Sequence, residues 1–87
     1  SYSVWFDISK MHQIEKSAFP EYAQTPVDVS RYISLRNKIV ETYRDFPQVP
    51  LYATDCLRHV SADASTVFRV HSFLDYWGII NTESDAR

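Results

Sequence analysis

Apolar positions recur at helical spacing through one uninterrupted stretch of the chain, Asp28 to Asp45. On a helix turning about 100° per residue, Val29, Tyr32, Ile33, Leu35, Ile39, Val40 and Tyr43 share one broad arc. Ser34, Lys38, Glu41 and Asp45 face the other way, toward water. The stretch contains neither Gly nor Pro, and Phe46-Pro47 ends it, because a residue before proline is pushed out of the α region. The spacing predicts a long central helix capped by Asp28, with Thr25-Pro26 as a start one turn earlier. One residue breaks the pattern. Arg36 sits near the middle of the apolar arc, where a charge needs a partner or a function.

Ahead of this helix, residues 1–7 read as an extended arm whose Trp5 and Phe6 tuck against the core. Asp7 or Ser9 is suited to cap a short helix reaching about Ser17, since both side chains accept from the unpaired N–H groups of a helix start. Ile8, Met11, Ile14 and Ala18 share one face of it, and Glu15 lies in the middle of that face. Two opposite charges, each centred on an apolar face, predict a buried ion pair between Glu15 and Arg36, with Glu21 as the alternative acid. Phe19 to Ala23 allow about one helical turn with Pro20 at its start, and Gln24 to Val27 connect. These elements and the central helix make a first half, residues 8–45.

The second half, residues 51–82, changes character. Leu51-Tyr52 reads as a very short strand, followed by a short helix from Thr54 to Val60 with Leu57 and Val60 inward. After a tight turn at Val60-Ser61, Ser61 caps a last helix from about Ala62 to Trp77, and Gly78 supplies a left-handed stop. Ile79 to Thr82 then read as a strand able to pair with Leu51-Tyr52, and the tail at 83–87 is polar and frayed. Short helix, turn, longer helix and strand together outline a helix-turn-helix with a small wing. The expected fold class is therefore all-α: about five helices around a long central one, with at most a tiny two-strand pairing.

Composition narrows the function. Eighty-seven residues make one domain near the lower limit for folding without staples, but 45% hydrophobic and 15% aromatic content can fill its core. A single glycine argues against a turn-rich β-sandwich or barrel. The lone Cys56 has no internal disulfide partner, which favours a reducing compartment. No apolar run reaches membrane-spanning length, no signal-peptide pattern opens the chain, and the start at Ser1 reads as a domain cut from a longer protein. The net charge of −2 gives no basic surplus of the kind that drives nucleic-acid binding.

Several motifs then resemble one family in order along nearly the whole chain. SYSVWF at the start, His12-Gln13-Ile14-Glu15 and Phe19-Pro20-Glu21-Tyr22 resemble the opening of a SWIRM domain. Leu35 to Val40 followed by Tyr43-Arg44 resembles that family's central helix. Phe68 to Leu74 and Tyr76-Trp77-Gly78-Ile79-Ile80-Asn81 resemble its closing signature. The aromatic arm is most similar to the branch in Moira-type scaffold subunits of SWI/SNF-type remodellers. The resemblance implies a helical, non-enzymatic, nuclear interaction module without a cofactor or small-molecule substrate. It also implies docking to the integrase-interactor-type core subunit, or contact with nucleosomal DNA. Departures are visible: a customary basic pair in the short helix reads Leu57-Arg58-His59 here, and a Phe-Phe pair reads Tyr22-Ala23.

Candidate chemistry follows from these elements. The last helix, the family's candidate recognition element, buries Ala64, Val67, Phe68, Val70, His71, Leu74 and Trp77 in this reading, which leaves Ser65, Arg69, Ser72 and Tyr76 outside. Arg58, His59 and Arg69 are the candidate DNA contacts, although Asp55, Asp63 and Asp75 stand near them and groove readers normally offer more Arg, Lys, Asn or Gln. Tyr2, Tyr52 and Tyr76 belong to no apolar arc and are the candidate protein-docking residues, since exposed tyrosines add interface area at little entropic cost. His71 reads as a hydrogen-bonded core histidine, and Asn37 as a side chain bonding loop backbone. Cys56 and His59 make half a metal site with no second half. Ser72, His71 and Asp75 lie too close together on one helix to converge as a hydrolytic triad, and one glycine builds no phosphate loop.

Overall fold

The computed structural model describes residues 4–81, so Tyr2, the strand end at Thr82 and the tail 83–87 lie outside the described residues. Helix α1 spans Gln13–Ala18, a 3-10 turn spans Pro20–Tyr22, α2 spans Pro26–Asp45, α3 spans Ala53–Cys56 and α4 spans Ala64–Tyr76. The fold is all-helical among the described residues. Central α2 buries Tyr32, Arg36, Ile39, Val40 and Tyr43, one face at helical spacing, while Ser34, Lys38, Glu41 and Asp45 are exposed. Thr25 rather than Asp28 caps it, its hydroxyl accepting from the Asp28 N–H at 3.1 Å, and Pro26 takes the first helical position, where its missing N–H costs nothing. Val67, Val70 and Leu74 of α4 close the core from the other side, with Cys56 and Ile80.

The segment before α1 is held by Arg36 instead of by helix bonds. The Arg36 guanidinium donates to the carbonyl oxygens of Lys10 at 2.8 Å, Ile8 at 2.7 Å and Asp7 at 3.2 Å. It donates as well to Asn37 Oδ1, from Nε at 3.0 Å and from Nη2 at 2.8 Å, and the Asn37 amide in turn donates to Ile8 O at 2.8 Å. Glu15 Oε1 lies 2.7 Å from Arg36 Nη1, and both side chains are fully buried. The same oxygen accepts from Tyr32 Oη at 2.7 Å, while Oε2 accepts from the His12 N–H at 2.7 Å. A carboxylate and a guanidinium are thus removed from water with their bonding capacity occupied. Burial, reinforced by the Glu15 charge, pushes the Tyr32 phenol well above its usual range, so it stays protonated and donating. Because the carbonyls of residues 7, 8 and 10 serve Arg36, α1 does not begin at Asp7 or Ser9. It begins after His12, whose Nδ1 accepts from the Ile14 N–H at 3.0 Å. Ile8 is accordingly exposed. The arm turns at Val4-Trp5 rather than extending, and Trp5 packs edge-on against Trp77 at 5.5 Å and against Phe73 at 6.2 Å.

The C-terminal half departs from the expected winged outline. Helix α3 stops at Cys56 because Arg58 and His59 donate three residues back, to Asp55 O and Cys56 O, and this tighter winding turns Leu57 outward. The link to α4 runs from 57 to 63, longer than a tight turn at Val60-Ser61. Asp63 caps α4 in place of Ser61, since its carboxylate accepts from the Thr66 N–H at 3.2 Å and from the Ser65 and Thr66 hydroxyls together. Ala64 and Phe68, expected inward, are exposed, because the buried stripe of Val67, Val70, His71 and Leu74 is narrower than the apolar arc.

No strand forms at 79–81. After Gly78, at φ +70°, the Ile79 and Ile80 N–H groups both turn back to Leu74 O, at 2.9 and 3.4 Å, and Gly78 N–H bonds Asp75 O. Closing α4 in this way uses the donors a ladder would need. Asn81, at φ +57°, performs the pairing with its side chain instead: Oδ1 accepts from Leu51 N–H at 2.7 Å and Nδ2 donates to Leu51 O at 2.9 Å. Leu51 O also accepts from His71 Nε2 at 2.7 Å, so that imidazole nitrogen carries its proton.

Two outcomes follow. Arg36→Ala should lower stability in urea melts by about 3–5 kcal/mol, because it strands the Glu15 carboxylate in the core; an unchanged midpoint would contradict this packing. Asn81→Gly keeps the left-handed backbone but removes the clamp, and should cost about 1–3 kcal/mol while the Leu51 amide loses its protection from hydrogen exchange.

Candidate interaction surfaces

The three cations considered for DNA contact do not converge on one feature. Arg69, on α4, donates to the Glu21 carboxylate and lies with its guanidinium carbon 5.1 Å from the centre of the Phe19 ring. That bond holds the Glu21 carboxyl below its usual range and raises Arg69. Glu21 therefore belongs to Arg69 and not to Arg36. Arg58 and His59 sit exposed on the turn after α3, and neither is in an ion pair among the described residues. His59 faces a groove of about 750 Å³ that runs between α2 and the link to α4.

The aromatic candidates are differently placed. Tyr76 is 78% exposed at the end of α4 and meets Trp77 edge-on at 5.4 Å. Trp77 itself packs against Trp5 and Phe73, so an aromatic stack underlies the exposed tip. Tyr52 is 63% exposed ahead of α3. Two further surfaces were not singled out by sequence reading. Exposed Phe68 borders a shallow depression of about 430 Å³ with Ala18, Phe19 and Ser72. Its signal was the spacing Phe68, Ser72, Tyr76 on one helical line. Phe46 and Val49 are also exposed, in the turn that follows α2, and the prolines on either side of Val49 were the only hint.

No group of three or more His, Cys, Asp or Glu side chains gathers for a metal among the described residues. Burial pushes the Cys56 thiol up to about 11, with the Asp55 carboxylate adding to the effect. About a thousandth of such a thiol is ionised at pH 8, against roughly a quarter for an unperturbed one. Native Cys56 should consequently react with a disulfide reagent at pH 8 at least about a hundredfold more slowly than in urea. Equal rates would show the thiol to be open to solvent.

Comparison with known proteins agrees with this architecture. The SWIRM domain model matches residues 3–82. The chain is 40% identical over its whole length to SWI/SNF complex subunit SWI3 of Saccharomyces cerevisiae, of which it covers 11%. It is 39% identical over 98% of its length to the SWI/SNF and RSC complexes subunit ssr2 of Schizosaccharomyces pombe, covering 18% of that protein. Over 99% of its length it is 35% identical to SWI/SNF complex subunit SWI3B of Arabidopsis thaliana, covering 19%. It thus spans less than a fifth of these relatives. No helix of the described residues is long and apolar enough to cross a membrane. A long α2, a capped α4 closed by Gly78 and a match over residues 3–82 lead to one conclusion: the chain belongs to the SWIRM domain family.

Proposed function

We propose that this domain is a non-catalytic docking module of a nuclear SWI/SNF-type chromatin-remodelling subunit. Its partner is another subunit of the assembly, of the integrase-interactor core type, and Tyr76 and Tyr52 are its anchors. The observation that carries this reading is the Tyr76 tip, highly exposed on an aromatic stack of Trp77, Trp5 and Phe73. A tyrosine has only two side-chain torsions to fix on binding and offers a large flat ring, which is how interface hot spots concentrate energy. The SWI/SNF complex subunits among the relatives support the assembly, and the domain's charge of −2 suits a protein partner better than a polyanion. Tyr2 belongs to the same proposal and lies outside the described residues.

Direct contact with nucleosomal DNA is the second reading. It draws support from Arg58 and His59, both exposed and free of ion pairs among the described residues, while Arg69 is held by Glu21. The two readings separate cleanly. In the full-length subunit, Tyr76→Ala should weaken capture of the core subunit by about thirtyfold, a hot-spot loss near 2 kcal/mol, with the thermal melt unchanged. Duplex binding should be negligible at physiological salt and indifferent to Arg58→Ala. Intact capture by Tyr76→Ala, together with tight duplex binding that falls steeply with salt and with Arg58→Ala, would favour DNA instead.

A further inference from the structure

The groove between α2 and the link preceding α4 is built from two unlike parts. Its rim carries Arg31 and Lys38 from the exposed side of α2 and His59 from the opposite wall, and its floor includes half-buried Leu35, Val60 and Tyr22. Neither Arg31 nor Lys38 is in an ion pair among the described residues, although the domain carries more acid than base. Two free cations therefore flank a groove of mixed polar and apolar lining in an otherwise acidic module. Only Glu41 opposes them in the lining.

We propose that this groove binds an acidic segment of a partner protein that carries large apolar residues among its carboxylates. The segment lies extended, with carboxylates on Arg31 and Lys38 and an apolar side chain on Leu35 and Val60. The spacing fits: seven residues along a helix place Arg31 and Lys38 about 10 Å apart, and four residue steps of extended chain, whose first and last side chains share a face, span about 13 Å. Side chains of an extended chain share a face only at even spacing, so carboxylates four positions apart can meet both cations, whose long side chains splay across the extra ~3 Å, while the residue midway between them faces the floor. A duplex fits the same groove poorly. Its phosphate backbone has no apolar group for the floor, and its unbroken row of charge must run past Glu41, which a peptide can oppose with a neutral residue. The site is separate from the Tyr76 tip and does not depend on the docking reading proposed for it.

The test uses a fluorescein-labelled twelve-residue peptide of repeating Glu-Ser-Leu-Ser, which places acids and Leu alternately on one face of an extended chain, titrated by anisotropy against the 87-residue chain and mapped by amide chemical shifts. The expected result is saturable binding, with the largest shifts at Leu35, Lys38 and His59 to Ala62. Arg31→Glu combined with Lys38→Glu should weaken it at least tenfold, as should replacing the peptide's Leu residues with Ser. Tyr76→Ala should leave it unchanged, so loss of the core-subunit contact and loss of this site are told apart. Urea melts of each variant exclude unfolding as the cause. Absence of binding, binding that survives the double charge reversal, or displacement of the peptide by a twelve-base-pair duplex with the same shifts would overturn the proposal.

Discussion

The guanidinium of Arg36 is the interaction on which the rest of this small domain depends. A cation at the centre of a helix's apolar face is costly unless its charge and its donors are all met. Here the charge is met by Glu15, and the donors by Glu15, Asn37 and three backbone carbonyls. The Phe6 ring covers one side of the guanidinium carbon at 4.7 Å, where its electron-rich face favours a cation. Segment 6–10 has little regular structure, so its backbone oxygens need partners from elsewhere, and one side chain on α2 provides them. The site organises a loop, a short helix and the central helix at once. That is its contribution to the fold: less added stability than a single arrangement of segments too short to order themselves.

A second clamp repeats this logic in the other half. Leu51 has no strand to pair with, and Asn81 supplies a donor and an acceptor in its place while His71 takes the remaining lone pair. Between them, the clamps around Arg36 and Leu51 fasten both ends of the described chain to helices α2 and α4. With the ends fixed, Trp5 can brace Trp77 at the end of α4.

Long-range periodicity carried most of what was legible in the sequence. The run from Asp28 to Asp45, without Gly or Pro, marks the body of α2, and an Arg and a Glu each centred on an apolar arc are visible as anomalies before any coordinates. What remained hidden is decided by geometry beyond a residue's neighbours. Nothing in Asp7 to Lys10 announces that the carbonyls of residues 7, 8 and 10 turn toward a side chain on α2, so the late start of α1 is not legible from local sequence. Ile79 and Ile80 look like a strand, but a Schellman closure after Gly78 claims their donors. Phe68 looks like core by type, yet falls just off the buried stripe. On the surface, exposed tyrosines could be picked out by exclusion from the arcs, whereas the groove joins Arg31 and Lys38 to a link 21 or more residues away.

The central claim is that Arg36 acts through the shape of its planar fork, not through charge alone. Lysine retains the positive charge but offers three donors from a single atom, unable to span Glu15, Asn37 and the carbonyls of residues 7, 8 and 10 together. The most direct measurement is the urea midpoint and the amide exchange of residues 7–12 in Arg36→Lys. The account predicts a loss of at least half of what full truncation costs, with exchange accelerating across that segment. A lysine variant as stable and as protected as the parent would contradict it.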